Sequence, residues 1–379
     1  MLTHVSSKAQ TKFGKGLSFV NQDSTASLLF HFRIQNLYTF NYSSSDNSWS
    51  QNAMVRRSRL KFDGFAFNPR LKYKLELGLT SNDISVNKEA GQTKDASRII
   101  LDAVFKYQLN KNWQVWFGQT KLPSNRERVV SSANLQFVDR SILNGSFNID
   151  RDMGIQLHGK FNIKKIVVRP IFSVSNGEGR DLTEGNHGGS CYTSRLEILP
   201  FGSFEGKNQD YVLSDLTRQQ KPKLAMGMTY NKNVNAIRQQ GQLGSFVTDS
   251  LGKFVANTLE QFEADLVFKY SGFSVLAEYA TQSAQKQLNN LSSKFITGTG
   301  LSIQAGYLIK SNWEFAARFS NQTPDDKTFS ALKELSEYTL GLSKYLVGHS
   351  LKIQTDYSMI DNGGMKPNYR LRFQMEMQF

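Results

Sequence analysis

The sequence predicts an all-β fold: a sixteen-stranded antiparallel transmembrane β-barrel with one loop folded inward. Three observations predict it. The 379 residues are only 39% hydrophobic but 12% aromatic, which suits many half-apolar strands better than one large globular core. Period-2 alternation recurs in segments longer than the usual five or six residues of a globular strand. The connections between segments fall into two length classes, short on one side and long on the other.

The first segment is the clearest. Leu28, Phe30, Phe32, Ile34, Asn36, Tyr38, Phe40 and Tyr42 fall on one face, and His31, Arg33, Gln35, Thr39 and Asn41 on the other. A tilted strand crossing a bilayer needs roughly 9–11 residues, and this segment supplies them. The same pattern returns at Leu71–Leu79, Ile99–Tyr107, Met153–Phe161, Phe262–Tyr270, Leu301–Tyr307, Trp313–Phe319 and Tyr369–Phe379. Sixteen strands result, over 27–42, 54–67, 70–81, 97–109, 112–120, 152–162, 165–175, 192–201, 221–230, 258–270, 273–283, 299–309, 312–321, 336–345, 348–358 and 368–379.

After even-numbered strands the turns are tight, as at Asn68-Pro69, Asn110-Lys111, Ser271-Gly272 and Lys310-Ser311, with 202–220 the long exception. After odd-numbered strands the connections span 43–53, 82–96, 121–151, 176–191, 231–257, 284–298, 322–335 and 359–367. Tyr38, Tyr42, Tyr107, Tyr270, Tyr279, Tyr307 and Trp313 gather near strand ends, as interfacial girdles do. A soluble β-sandwich is the competing fold, but it seldom yields sixteen long dyads.

Residues 1–26 read as a signal-peptide remnant and periplasmic N-terminal segment, with Ser7-Lys8-Ala9 carrying the small residues a signal peptidase reads. Residues 27–379 read as the single barrel. No apolar run is long enough for a transmembrane helix.

Connection 121–151 carries Arg126, Glu127, Arg128, Asp139, Arg140, Asp150 and Arg151 together with Val129, Val130, Leu135, Phe137 and Val138. So much apolar material in a barrel loop calls for packing against the lumen wall, which narrows the pore and sets the charges beside a permeating solute. With apolar faces toward lipid, the lumen receives Arg33, Arg57, Arg59, Lys61, Lys72, Lys74, Arg98, Arg370 and Arg372 among others. Closure of the last strand on the first makes Arg33, Arg57, Arg59, Arg370 and Arg372 one basic wall. Arginine-lined pores favour anions and phosphates. Asp63, Glu76 and Asp102 share that quarter, so pairing that merely stiffens the wall is the alternative.

The stretches Arg56-Arg57-Ser58-Arg59-Leu60-Lys61-Phe62-Asp63-Gly64, Gly118-Gln119-Thr120-Lys121-Leu122-Pro123 with Arg126-Glu127, Asp139-Arg140-Ser141, Arg151-Asp152-Met153-Gly154, Leu199-Pro200-Phe201-Gly202, Pro222-Lys223-Leu224 and the terminal Phe379 together resemble the phosphate-selective porin O and P family. The resemblance implies an outer-membrane barrel of a Gram-negative bacterium, usually trimeric, passing small hydrophilic solutes with an anion preference. It also implies a terminal aromatic read by the barrel assembly machinery, and a longer periplasmic segment at 202–220. Because Glu127 and Asp139 sit in the constriction loop, a phosphate pore and a general anion pore stay open. The functional alternative is a non-conducting structural or accessory barrel of an envelope or secretion complex.

Enzyme chemistry finds no support. The five histidines, His4, His31, His158, His187 and His349, lack metal spacing, and no serine sits in a nucleophile elbow. Cys191 stands alone, so neither a disulfide nor a cysteine zinc site is expected. Asp181, Glu184, Asp325 and Asp326 read as solvated loop carboxylates before cation ligands. The net charge of +14 comes without a recognition helix or stacking platform, so no nucleic-acid partner and no cofactor are expected.

Overall fold

A computed structural model describes residues 10–11, 13–84, 99–180, 186–289, 291–364 and 366–379. Ser7, Lys8, Ala9, Arg98, Asp181 and Glu184 lie outside the described residues. The barrel strands, in chain order, are β1 (Ala26–Ser43), β2 (Ser48–Ala66), β3 (Asn68–Gly78), β4 (Ile100–Gln108) and β5 (Trp113–Lys121). Then come β6 (Arg151–Gly159), β7 (Ile166–Ser175), β8 (Cys191–Leu199), β9 (Lys223–Ala236), β10 (Asn257–Tyr270) and β11 (Phe273–Ala284). β12 (Gly298–Leu308), β13 (Trp313–Pro324), β14 (Leu335–Val347), β15 (Leu351–Asp361) and β16 (Asn368–Gln378) complete the set. Each pairs antiparallel with its neighbours, and β16 closes on β1 from Tyr369↔Tyr42 to Gln378↔Arg33. Closure leaves no exposed edge within the wall, which is what a lipid-embedded sheet requires.

The dyad assigns the faces. Phe105, Phe117, Ile155, Met228, Phe315 and Leu340 are exposed on the outside, while Gln156, Thr229, Gln304 and Ser320 are buried on the inside. The turn Ser271-Gly272 has φ of 49° and 90°, the backbone that a two-residue hairpin of type I′ needs. A Cβ on Gly272 would meet the Leu308 carbonyl at 2.7 Å. Tyr42, Trp49, Tyr357 and Tyr369 cluster at the long-loop end, with Tyr42 and Trp49 centroids 4.8 Å apart.

The expected boundaries shift in three places. The long connection after β1 reduces to Ser44–Asn47, because β1 and β2 continue pairing as a ribbon past the apolar band, where polar residues occupy both faces. The reversal after β2 falls at Phe67, φ 68°, and Asn68-Pro69 already belong to β3. β9 runs on to Ala236, since Asn231 and Asn233 turn inward and bond the Thr193 hydroxyl and the Gly177 carbonyl.

The N-terminal segment also joins the sheet. Leu17–Val20 pairs with β1 from Leu17↔Phe30 to Val20↔Ser27, taking over β1 below the point where Phe379 exchanges both backbone hydrogen bonds with Phe32. Gln10–Thr11 pairs in turn with Leu17–Val20.

Candidate functional site: a half-filled lumen

The connection from β5 to β6, residues 122–150, enters the barrel. Short capped turns shape it. The Asn125 side chain accepts from Arg128 N at 3.1 Å to open a turn at Arg126–Val129, and Ser141 caps Ile142–Ser146. Between them the loop crosses the lumen. Lys352 Nζ donates to the Ala133 carbonyl at 2.8 Å, Val138 N donates to Asp356 at 3.1 Å, and Arg318 donates to the Asp139 carbonyl at 2.9 Å. Val130, Leu135, Phe137, Val138, Leu143 and Phe147 are at most 2% exposed, so the apolar residues do pack inside the barrel.

The connection between β8 and β9, residues 200–222, comes in from the other mouth. Leu213 N donates to the Asn134 carbonyl at 3.1 Å, and Ser214 Oγ lies 2.7 Å from Glu314. Phe204 and Leu213 share one buried apolar cluster with Val130 and Leu135 of the loop and with Val167, Leu199, Ala225, Val267 and Leu276 of the wall. The two insertions therefore fill the side of the lumen bounded by β9–β15.

What remains is an eccentric cavity of about 1110 Å³ against β16 and β1–β8. Eighteen Lys and Arg side chains line it, against seven Asp and Glu. Of the residues named from the sequence for the pore, Arg33, Arg57, Arg59, Lys61, Lys74, Arg128, Arg140, Arg151, Arg370 and Arg372 line this cavity. Lys72 does not; it is exposed on β3 beyond the cavity.

Arg126 does not line the cavity either, which corrects its expected place in the constriction. It is fully buried between Glu197 at 3.0 Å, Asp210 at 3.4 Å and Asp265 at 3.4 Å, with its guanidinium 4.6 Å from the Tyr211 ring centroid. Sequence spacing showed Arg126 on the loop but could not show that Asp210 would rise from the opposite mouth to meet it.

The five wall arginines line the same cavity, but every one has a carboxylate partner. Arg33 pairs with Glu376 at 2.8 Å and Arg57 with Asp139 at 2.9 Å. Arg59 pairs with Asp83 at 2.8 Å and Glu76 at 3.2 Å, Arg372 with Asp356 at 2.7 Å and Arg370 with Glu337 at 2.5 Å. Arg372 stands directly opposite Asp356, whereas Asp139 and Asp83 reach the wall from connections, and a partly buried arginine gains from such pairing. Arg128 pairs with Asp150, Arg151 with Asp102, Lys61 with Asp63, and Lys74 with Glu76 and Asp102.

Among the described residues Arg140, Lys106, Lys121 and Lys160 line the cavity with no ion pair. Arg140 donates to the Glu127 and Val130 carbonyls at 2.9 and 2.8 Å. Lys121 Nζ donates to the carbonyls of Arg128, Val129 and Val130. Lys106 Nζ sits 3.6 Å from the Trp116 ring centroid, and His158 stacks on the same indole at 3.9 Å. Lys121 and Arg56 were missed as site residues. Lys121 opens the connection 121–151, whose charged residues were named without it. Alternation puts Arg56 on the face opposite Arg57, and it was not counted toward the lumen, but a bulge between Gln35 and Asn36 turns both Arg56 and Arg57 inward, where each reaches Asp139. Burial raises the Asp139 carboxyl, yet the Arg57 and Arg56 guanidiniums outweigh it and hold it well below the usual aspartate range.

Asp325 accepts from Thr297 Oγ1 of the preceding long connection and Asp326 from Thr328 N of its own. Among the described residues no cluster of His, Cys, Asp or Glu could hold a metal ion.

No curated protein is significantly similar in sequence. Solved structures share the fold at low identity. The trimer form of in-vitro folded OmpT of Vibrio cholerae superposes with a TM-score of 0.54 at 12% identity, covering 94% of this chain and 100% of that one. An anion-selective porin from Comamonas acidovorans gives 0.57 at 10%, covering 93% and 100%, and the outer-membrane channel DcaP of Acinetobacter baumannii gives 0.55 at 14%, covering 95% and 99%. The family model for phosphate-selective porins O and P matches residues 30–379, so this chain belongs to that family and is a porin of a Gram-negative outer membrane.

Proposed function

We propose that this porin passes small hydrophilic anions, phosphate-like oxyanions among them, by passive diffusion and performs no catalysis. The observation that carries this is the cavity lining of eighteen Lys and Arg against seven Asp and Glu. Low-dielectric walls focus such an excess onto the aqueous path and concentrate counter-ions there. Lys106, Lys121 and Arg140 supply cations free of a carboxylate, and the paired wall arginines contribute shape and a weaker field. We infer further that the chain works as a homotrimer in outer-membrane lipid. On this proposal the barrel assembly machinery reads Phe379 during insertion, and residues 1–26 comprise a signal-peptide remnant and a periplasmic segment ahead of the single barrel 27–379. Proteoliposome swelling tests the solute class. Chloride and phosphate should enter faster than a neutral sugar of equal size. Equal rates would remove the anion preference, and no swelling at all would favour the non-conducting accessory barrel.

A further inference from the structure

On the filled side of the lumen acids outnumber bases, with Glu263, Asp265, Glu278 and Glu314 turned inward against Lys269 and Arg318. Glu263 on β10, Glu278 on β11 and Glu314 on β13 point inward and are at most 1% exposed. None lines the cavity, and among the described residues none has a Lys or Arg within ion-pair distance. Their hydrogen bonds come mainly from the two insertions. Glu263 accepts from Asn125 N at 2.7 Å and Ser124 Oγ at 3.1 Å. Glu278 accepts from Glu127 N at 2.6 Å and Asn144 Nδ2 at 2.8 Å. Glu314 accepts from Gln136 Nε2 of the loop and Ser214 Oγ of the periplasmic segment, both at 2.7 Å.

The two insertions also grip each other. Leu213 N bonds the Asn134 carbonyl, Arg126 meets Asp210, and the apolar cluster around Leu135, Phe204 and Leu213 is shared. The periplasmic segment reaches across the mouth to β12 and β14 as well. Arg218 donates to the Leu308 and Ile309 carbonyls at 2.7 and 2.6 Å, and Tyr345 lies 2.5 Å from Ser214 Oγ.

We infer that the constriction loop and the periplasmic segment 200–222 form a single insert that masks the acidic half of the barrel wall, so that selectivity depends on which charges the insert covers. The inference rests on the anion-pore reading and extends it. A carboxyl in water ionises far below neutral pH. An empty half-barrel would therefore present Glu263, Glu278 and Glu314 to the solvent, opening a cation-attracting path beside the basic one. The insert replaces that water with donors of its own and leaves the basic half as the route for solute.

The test replaces residues 204–216 with a glycine-serine linker of equal length in the full chain, and reads single-channel conductance and the zero-current potential under a KCl gradient. The inference expects a larger conductance and a chloride-over-potassium permeability ratio reduced severalfold, roughly fivefold. Adding Glu263→Gln, Glu278→Gln and Glu314→Gln to that variant should restore the ratio while conductance stays high. A wider pore with unchanged selectivity would overturn the masking. A wild-type channel that is itself potassium-selective would overturn the anion-pore reading instead, so the two failures are distinguishable. A second measurement does not depend on assembly of the linker variant. In a Cys191→Ser background, Gln304→Cys, placed under the loop where Gln304 bonds Gln136, should resist an anionic methanethiosulfonate. Lys106→Cys, on the open side, should react, with mass spectrometry as the readout. Equal labelling of the two would overturn the inference.

Discussion

Replacing Arg126 with methionine separates a pore residue from a structural tie. The guanidinium is wholly buried, and three carboxylates surround it: Glu197, Asp210 and Asp265. Removing one partner of a buried ion pair costs about 3–5 kcal/mol. Here the remaining charges limit the damage. Glu197 keeps Arg195 at 3.0 Å and Arg169 at 3.3 Å, Asp210 keeps Arg169 at 2.5 Å, and Asp265 keeps Arg195 at 2.7 Å. Three cations against three anions become two against three, with no acid stranded, so the lower end, about 3 kcal/mol, applies. The Tyr211 ring also loses the nearer of its two guanidiniums, worth about 1 kcal/mol, and keeps Arg169 at 5.8 Å. Methionine retains much of the buried bulk, which keeps the change electrostatic. Urea unfolding in detergent, followed by the heat-modifiable gel band, should show a loss near that size. Single channels of Arg126→Met should be noisier and wider, because loop and periplasmic segment lose their tie. If stability is unchanged and only anion selectivity falls, Arg126 faces the permeating solute and its buried placement is wrong.

Leu266→Arg or Leu75→Arg, on the lipid face, should destabilise the barrel by roughly 2–4 kcal/mol in the same unfolding assay. Gln304→Arg looks harmless from alternation alone, but Gln304 is 1% exposed and donates to Gln136, so the variant should displace the loop and raise conductance. Deleting residues 128–138 removes Val130, Leu135 and Phe137 from the lumen, and single-channel recording should show a larger conductance if the barrel assembles. Arg57→Glu with Arg59→Glu should move the reversal potential toward cations, since each substitution reverses a charge and Asp83 loses Arg59, while Asp139 keeps Arg56 and Glu76 keeps Lys74. The Asp139 pair contributes stability that is present at pH 7 and lost only as pH falls through its depressed value. Channel noise should therefore stay flat from neutrality to about pH 4, where an unperturbed aspartate would already titrate.

The wall was legible because a bilayer enforces the dyad: Phe105 and Phe117 must face lipid while Lys106 and Trp116 cannot. Each strand shows this without reference to the others, and the short turns then set the order. The inward loop was legible for a similar local reason, the burden of Val130, Leu135 and Phe137 in a connection. The charge pairing was not. Whether Arg57 meets Asp139 depends on a loop bending across the lumen and on one bulge beside Asn36, and alternation carries neither. Segment 200–222 stood out only by its length. Its role depends on contacts to Asn134, Glu314 and Tyr345, up to 131 residues away in sequence, and no local pattern encodes them.

The zero-current potential of the wild-type protein in a planar bilayer under a KCl gradient tests the central claim most directly. The account predicts a potential of the sign set by chloride, shrinking as both solutions are made saltier, because the Debye length falls from about 10 Å at 0.1 M to about 3 Å at 1 M. A potential of the sign set by potassium would contradict it, and would mean that the seven cavity carboxylates govern permeation rather than the eighteen cations around them.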